Sequence, residues 1–235
     1  MPTYNISDSP LSTNVKEYIK NTNSKLTIKS VVTDSSVEFP AFLTDFSQTF
    51  DASWNTEEVF GRMDPIATYQ GTKRTMSLGF DVPAGTLKEA QWNLKTCSLL
   101  TTMVYPVYNG VYVAGKRKNE TDPFSSLTKV PGGVAVLAKP PLVRVKFANL
   151  IDSTIFEAGE RVDLSNPLSP LKKEPLGLLG WITGLSWKPN LEMGMFTGEE
   201  RLFPKIISIS FSFNILHEKV LDQPSLAETN WPFGD

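Results

Sequence analysis

The sequence has few cysteine and histidine residues, which many nucleophilic and metal sites need. The chain has one cysteine, Cys97, and one histidine, His217, so sites that need two histidines are excluded. A Cys–His dyad would require these two residues to meet in space. Because Cys97 lies on the apolar stripe of a predicted helix, a small buried hydrophobic residue is the favoured interpretation.

Paired carboxylates are the catalytic arrangement that the sequence excludes least. Glu57-Glu58 and Glu199-Glu200 are adjacent pairs, and a glycosidase needs two carboxyl groups about 5–10 Å apart. The sequence does not give that distance. It contains no phosphate-binding glycine loop, dinucleotide fingerprint or nucleophile elbow. We therefore predict no catalytic residue, no cofactor and no metal, and we expect that the protein is not an enzyme.

The composition is that of a globular chain with one large domain or two small ones. Of its 235 residues, 40% are hydrophobic and 20% are charged, which permits a sizeable core. The net charge of −2 argues against a general nucleic-acid binder, which would be basic. We expect no disulfide, no secretory signal and no membrane insertion, and therefore folding in a reducing cytosol.

The stretch from Trp54 to Tyr105 predicts a strand, a turn, a second strand and a helix. The second strand is indicated by alternation from Arg74 to Val82, with one apolar face. We expect a turn at Gln70-Gly71-Thr72 and an earlier short strand at Val59-Phe60. The two strands would be antiparallel.

A capping box begins the predicted helix. Thr86 is a good N-cap residue, and Glu89 follows three residues later. Apolar residues then recur at helical spacing as far as Val104, and Pro106 ends the helix. In a β-rich chain, such a helix would cover one open face of a sheet.

Five further segments predict strands, and Asn109-Gly110 between β-forming residues predicts a hairpin. In one segment, Trp181, Thr183, Leu185 and Trp187 would share a face. The most regular alternation is that of segment 206–215, in which apolar odd-numbered residues form one face and small polar residues form the other. The strand segments are 26–31, 37–42, 142–148, 180–187 and 206–215, and the small polar face consists of Ser208, Ser210, Ser212 and Asn214.

We predict a single β domain over 26–219, preceded by an extended polar arm, 1–25, and followed by an irregular tail, 220–235. The arm, with a short possible helix or strand near Val15 to Ile19, is either a disordered terminus or a segment laid on a neighbouring subunit. Two long loop insertions, 115–133 and 152–177, interrupt the domain. Loops of this length in a compact domain are usually functional or disordered.

Two charged groups have both a structural and a functional interpretation. The triplet Lys116-Arg117-Lys118 is either a solvated loop tip or a contact with an acidic partner. Arg62 and Asp64, between Gly61 and Pro65, form either a local ion pair of small energy or a contact with a neighbouring copy through the Arg62 guanidinium.

The stretch from Trp54 to Tyr105 resembles part of a known family. The pattern consists of Trp54, the runs 58–66 and 69–74, and then a strand and a helix ending at Tyr105-Pro106. It is similar to tail-tube-like baseplate proteins of contractile-tailed bacteriophages, namely tube initiators and tube caps. The similarity covers about 50 residues.

The resemblance implies a mainly β fold, a tail-tube-like β-sandwich or barrel with one covering α-helix and long loops. It also implies a homohexameric ring in the virion, assembled in the host cytoplasm, with neighbouring tail-tube and baseplate hub proteins as partners and DNA only in transit through the channel. Candidate interface residues are Trp54, Arg62, Asp64, Tyr69, Arg74, Lys116, Arg117 and Lys118. Candidate channel-lining residues are Ser208, Ser210, Ser212 and Asn214, although the same face would also suit an outer, solvated surface.

Two other classes of function stay open on the sequence. One is a β-sandwich that binds cell-wall glycan or another carbohydrate, with Trp181 and Trp187 as candidate stacking residues. The other is an enzyme. The mass in solution separates a ring subunit from both, and a glycan-binding assay separates the binding module from the enzyme.

Overall fold

The centre of the fold is an eight-stranded β-sheet. A computed structural model describes residues 3–22, 24–40, 42–109, 112–114, 127–129, 136–148, 150–153, 176–198 and 201–218. The helical elements are a 3₁₀ turn at Ile6–Asp8, α1 at Thr13–Thr22 and α2 at Leu87–Met103. The strands are β1 Thr3–Tyr4, β2 Lys25–Ser30, β3 Ser36–Pro40, β4 Phe42–Glu57, β5 Ile66–Pro83, β6 Val107–Asn109, β7 Tyr112–Ala114, β8 Leu127–Lys129, β9 Val136–Lys139, β10 Val143–Phe147, β11 Leu178–Pro189, β12 Met195–Gly198, β13 Arg201–Pro204 and β14 Ile206–Ile215.

The strands of the large sheet lie in the order β1-β3-β2-β10-β11-β14-β5-β4. All neighbours are antiparallel except β1 and β3, which are parallel. The mainly β prediction is confirmed. Within the described residues the sheet is open, with β4 and β1 as its two edges, and it does not close into a barrel. Three two-stranded pairs, β12–β13, β6–β9 and β7–β8, complete the described strands.

One face of the sheet forms the core because apolar residues on neighbouring strands lie directly opposite one another. Met76, Leu78 and Phe80 on β5 are paired with Phe213, Phe211 and Ile209 on β14. The alternation predicted for both strands is therefore confirmed. Each large side chain buried in this way contributes roughly 1.5–3 kcal/mol before the cost of ordering the chain.

Helix α2 covers this core face, as predicted. Cys97, Leu100 and Met103 are buried in the same cluster as the apolar residues of the sheet. The helix begins where the capping box predicts: the Thr86 hydroxyl accepts a hydrogen bond from the Glu89 N–H at 3.2 Å. The Glu89 carboxylate accepts the N–H of Gly85 at 2.7 Å, so the motif satisfies donors on both sides of the cap.

Of the helix or strand expected near Val15 to Ile19, the structure has the helix, α1, in addition to the covering helix α2. The sequence of α1 is polar, and only Ile19 is buried. The first described residues are also ordered against the rest of the chain: β1 pairs with β3, and the ring of Tyr4 lies edge-on to Trp92 of α2 at 5.1 Å. This segment is therefore not an extended arm, and contact with a neighbouring subunit stays a prediction.

Two local predictions, one turn and one strand, differ from the structure. Gln70-Gly71-Thr72, predicted as a turn, lies inside β5, where Gly71 is paired with Ser53 of β4. Val59-Phe60, predicted as a strand, lies in the connection between β4 and β5. The predicted first strand is therefore wrong. The antiparallel partner of β5 is the earlier strand β4, and the turn between them lies about ten residues before Gly71.

The Asn109-Gly110 signal does not produce the predicted hairpin. The strand before it, β6, pairs with β9, and the strand after it, β7, pairs with β8. The pairing with β9 and β8 therefore replaces the local turn preference.

Candidate interaction surfaces

A two-stranded ribbon extends beyond the rest of the sheet. The pairing of β5 with β14 ends at Thr75, which lies opposite Asn214. From there to the turn, β5 pairs only with β4, from Phe50 opposite Arg74 to Glu57 opposite Ile66. We call residues 50–73 the ribbon. At the rise of a β-strand its arms span roughly 25 Å.

The ribbon carries large apolar side chains that are exposed to solvent. Phe60 and Met63 at its turn have relative exposures of 107% and 101%, so the chain itself gives them no cover. A concentration of large exposed apolar side chains in one element indicates an interaction site. The other exposed large apolar residues of the ribbon are Phe50, Trp54, Val59, Ile66 and Tyr69.

Four of the predicted interface residues lie on this ribbon: Trp54, Arg62, Asp64 and Tyr69. The rings of Trp54 and Tyr69 face one another across the two strands, edge to face, with centroids 5.2 Å apart. Both side chains are more than half exposed. Arg62 lies in the connecting turn, where its N–H donates to the carbonyl of Val59 at 3.2 Å.

Asp64 lies in the same turn and is exposed. Among the ion pairs formed by the part of the chain that the structure describes, none joins Arg62 to Asp64. The interpretation of these two residues as a local ion pair therefore has no support from the geometry. Contact of Arg62 with a neighbouring copy stays a prediction.

Arg74 is not an exposed interface residue, which corrects the sequence-based assignment. It lies on the core face of β5 and is only 1% exposed. Its Nε and Nη2 donate to Oε1 of Gln48 at 3.1 and 2.9 Å, and its guanidinium lies over the ring of Phe50 at 5.6 Å. The residue instead closes the apolar core at the base of the ribbon, because the aliphatic part of arginine packs as well as any apolar chain.

The small polar face of β14 is present and is wider than the sequence indicated. Ser208, Ser210, Ser212 and Asn214 all lie on the face opposite the core, since the odd-numbered residues of β14 are buried. The face continues onto neighbouring strands as a band that we call the polar face. Its further members on β5, β4 and β11 are Thr75, Ser77, Gly79, Ser47, Thr49, Thr183 and Ser186.

Hydrogen bonds link the strands across the polar face. Asn214 accepts from the Thr75 hydroxyl at 3.3 Å and donates to the Thr183 hydroxyl at 3.2 Å. Charged residues border the band on this side. Asp45 lies opposite Gly79, and Ser208 lies between Asp81 of β5 and Lys188 of β11. The centre of the band is therefore uncharged, with both acidic and basic groups at its border.

Trp181 and Trp187 do not share a face, and the predicted alignment is wrong. Trp181 is paired with Asn214 on the polar side, whereas Trp187 is paired with Ile209 on the core side. The register shifts between Thr183 and Ser186, and Gly184 at this point has φ of +64°. One extra residue in a strand sends every later side chain to the opposite face. This placement disfavours a shared aromatic groove for a sugar.

Cys97 is a buried core residue, as the sequence predicted. Burial raises the pKa of its thiol to about 12, so the thiol is protonated at neutral pH, and a nucleophile needs the thiolate. Glu57 and Glu58 lie exposed at the ribbon's turn. In the described ranges, no group of three or more His, Cys, Asp or Glu side chains is placed to hold a metal ion.

Several predicted features lie outside the described residues. These are Lys116, Arg117 and Lys118, the Glu199-Glu200 pair, most of the two long loops 115–133 and 152–177, and the tail 220–235. The sequence analysis missed Phe60 and Met63 as interface candidates. Their signal was available, because two large apolar residues flank Gly61-Arg62 in a segment with strong turn formers.

The sequence matches no protein-family model, and none of the curated proteins matches it. Over the described residues, no helix has both the length and the apolar character needed to cross a membrane.

Proposed function

We propose that this protein is a structural subunit of a contractile phage tail, a tail-tube-like baseplate protein that forms a homohexameric ring in the virion. The observation that carries the proposal is the ribbon of residues 50–73. It projects from the sheet with exposed Phe60 and Met63 at its turn. A two-stranded ribbon is only marginally stable in water, so its apolar surface is best explained by contact with another subunit or ring.

The two edges of the sheet support assembly into a ring. One edge is the long strand β4, and the other is the two-residue strand β1. A contact between the β4 edge of one copy and the β1 edge of the next would be head-to-tail, and contacts of that kind generate closed rings or open filaments. Ring closure would also cover the β4 edge, which is otherwise a site for unwanted strand pairing.

The polar face supports a channel through the ring. Its central band of serine, threonine and asparagine side chains carries no cation that would hold phosphate groups. With a net charge of −2 per chain, the assembled ring would be mildly acidic. DNA would therefore pass through the channel without binding, and neighbouring tail-tube and baseplate hub proteins would contact the ribbon and loops.

We expect the double substitution Phe60→Ser/Met63→Ser to prevent assembly while leaving the subunit folded. Both side chains are fully exposed in the single chain, so their loss should change the free energy of unfolding by less than about 0.5 kcal/mol. Each would bury its apolar surface in the assembly at roughly 1.5–3 kcal/mol. The association constant should fall on the order of a hundredfold or more, measured by sedimentation velocity over a concentration series.

The matched control is Leu191→Ser/Met193→Ser. It also removes two exposed apolar side chains, but these lie away from the ribbon in the connection after β11. This control should assemble as the unchanged protein does. If the ribbon variant assembles at the same concentrations as the unchanged protein, the ribbon is ruled out as the assembly surface.

A further inference from the structure

A positively charged cleft lies on the side of the sheet opposite the core, at the end far from the ribbon. Its floor is formed by outward-facing residues of β2, β3 and β10, and its roof by α1 and the 3₁₀ turn. The volume is about 850 Å³, which is within the range of sites for small ligands. Ile6, Ile19 and Leu176 supply apolar parts of the wall.

The charges that line this cleft are strongly biased. Glu38 is the one acidic residue among its lining residues in the described part of the chain. The basic residues are Lys16, Lys20, Lys25, Lys29, Arg144 and Lys146. The arrangement is unusual for a protein whose net charge is −2, because like charges at short range destabilise one another unless an anion lies between them.

Glu38 has no further capacity to neutralise the cleft. One of its oxygens accepts from Lys25 Nζ at 2.7 Å, and the other accepts the N–H of Ile6 at 2.9 Å. Glu38 therefore holds the 3₁₀ turn against β2 and β3. This pairing fixes the roof of the cleft relative to its floor.

Two more of the cations have carboxylate partners. Arg144 forms a bidentate pair with Glu218, with N–O distances of 2.6 and 2.8 Å. Lys29 lies 3.2 Å from the exposed carboxylate of Asp34. Both carboxylates approach from the rim, since neither Glu218 nor Asp34 lines the cleft.

Three lysines have no carboxylate partner among the described residues. Lys16 donates to the backbone carbonyl of Ser7 at 2.8 Å, which leaves its charge uncompensated. Lys20 on α1 and Lys146 on β10 form none of the ion pairs observed in that part of the chain. Counted over the described residues, the lysines of the roof and the floor therefore present three charges without a carboxylate partner.

The geometry points to a binding site for a small anion that carries two or three linked phosphate groups, held between Lys16 and Lys20 of α1 and Lys146 of β10. Lysine is a common phosphate ligand as a point charge. The apolar wall would accommodate an uncharged part of the ligand. This chemistry is shared by inorganic oligophosphates and by nucleoside di- and triphosphates. The lining residues belong to one chain, so the site can be tested on the single chain.

The shape of the cleft favours a small ligand over duplex DNA. Its cations line a recess beneath α1, whereas a duplex needs a basic surface along which its phosphates can lie. The polar face on the same side of the sheet, which would be the open approach for a duplex, is uncharged at its centre.

The test is isothermal titration calorimetry of the full chain with sodium tripolyphosphate and, separately, with ATP. We expect tripolyphosphate to bind one site per chain, with an affinity that falls as salt rises. The variant Lys20→Gln/Lys146→Gln should weaken binding by about tenfold or more, the size expected for two charged contacts. Tighter binding of ATP than of tripolyphosphate would identify a nucleotide, and equal or weaker binding an inorganic oligophosphate.

The control variant is Lys88→Gln/Lys95→Gln, which makes the same charge change on exposed positions of α2. It should bind tripolyphosphate within about twofold of the unchanged chain. Melting curves without ligand check that both variants fold. The proposal is overturned if the unchanged chain does not bind either phosphate compound, if both variants lose binding equally, or if a short DNA duplex binds more tightly and is lost in the cleft variant.

Discussion

Replacing Gly180 with alanine is expected to lower the free energy of unfolding by about 3 kcal/mol or more, the upper part of the range for overpacking a core. Gly180 lies in β11 at the centre of the sheet, opposite Val143 on β10 and Ile215 on β14. An added Cβ would overlap the carbonyl oxygen of Asn214 and lie 2.8 Å from Cζ of Phe213.

The size of this effect follows from what would have to move. The overlapping atom of Asn214 belongs to the backbone of β14, which pairs with β11 on one side and β5 on the other. A flexible side chain could rotate away, but a strand in the middle of a sheet cannot shift without breaking hydrogen bonds on both sides. Phe213 is itself fully buried and has no free space to enter.

Gly71→Ala is the matched control for this experiment. Gly71 also lies inside a strand, but an added Cβ there meets no atom within 4 Å. Its stability should change by less than about 0.5 kcal/mol. Urea denaturation followed by circular dichroism measures both variants, and equal stability of the two would contradict the packing described at the β11–β14 contact.

Replacing Arg74 with alanine is expected to cost about 2–4 kcal/mol, from lost charged hydrogen bonds and lost packing. The guanidinium donates twice to the amide oxygen of Gln48 and lies over the ring of Phe50. Truncation leaves the buried amide oxygen without these donors and opens a space at the base of the ribbon.

Lys73→Ala provides the control for Arg74. The two positions are adjacent in β5, but Lys73 points to the other face and is exposed. Its removal should change stability by less than about 0.5 kcal/mol. Equal effects at the two positions, measured by urea denaturation, would mean that Arg74 is not a core residue.

The parts of the fold that follow from local rules could be predicted from the sequence. Alternation with a period of two identified the core faces of β5 and β14, because the pleat sends successive side chains to opposite sides. The Thr86–Glu89 pair located the start of α2, since capping depends on residues within one turn. Both features are set by neighbours in the chain.

The features that were predicted wrongly depend on contacts between distant segments. Gly71 has the sequence of a turn but lies in a strand because Ser53 pairs with it. Trp187 lies on the opposite side from Trp181 because of an irregularity near Gly184, which alternation alone cannot locate. Arg74 has the charge of a surface residue, and its burial depends on Gln48.

The exposure of the ribbon was also beyond what the sequence could give. Trp54 and Tyr69 are of residue types that are found equally in cores and in interfaces. Their exposure follows from where the pairing partner of β5 ends, at Asn214 of β14. The position of that end is a property of the whole sheet.

The most direct test of the proposed ring is the mass and symmetry of the purified chain, measured by light scattering and negative-stain imaging over a concentration series. A homohexameric ring predicts particles with six times the mass of one chain and a central hole, and the fraction of such particles should rise with concentration. A chain that remains monomeric at every concentration, or that forms only two-fold dimers, would contradict it.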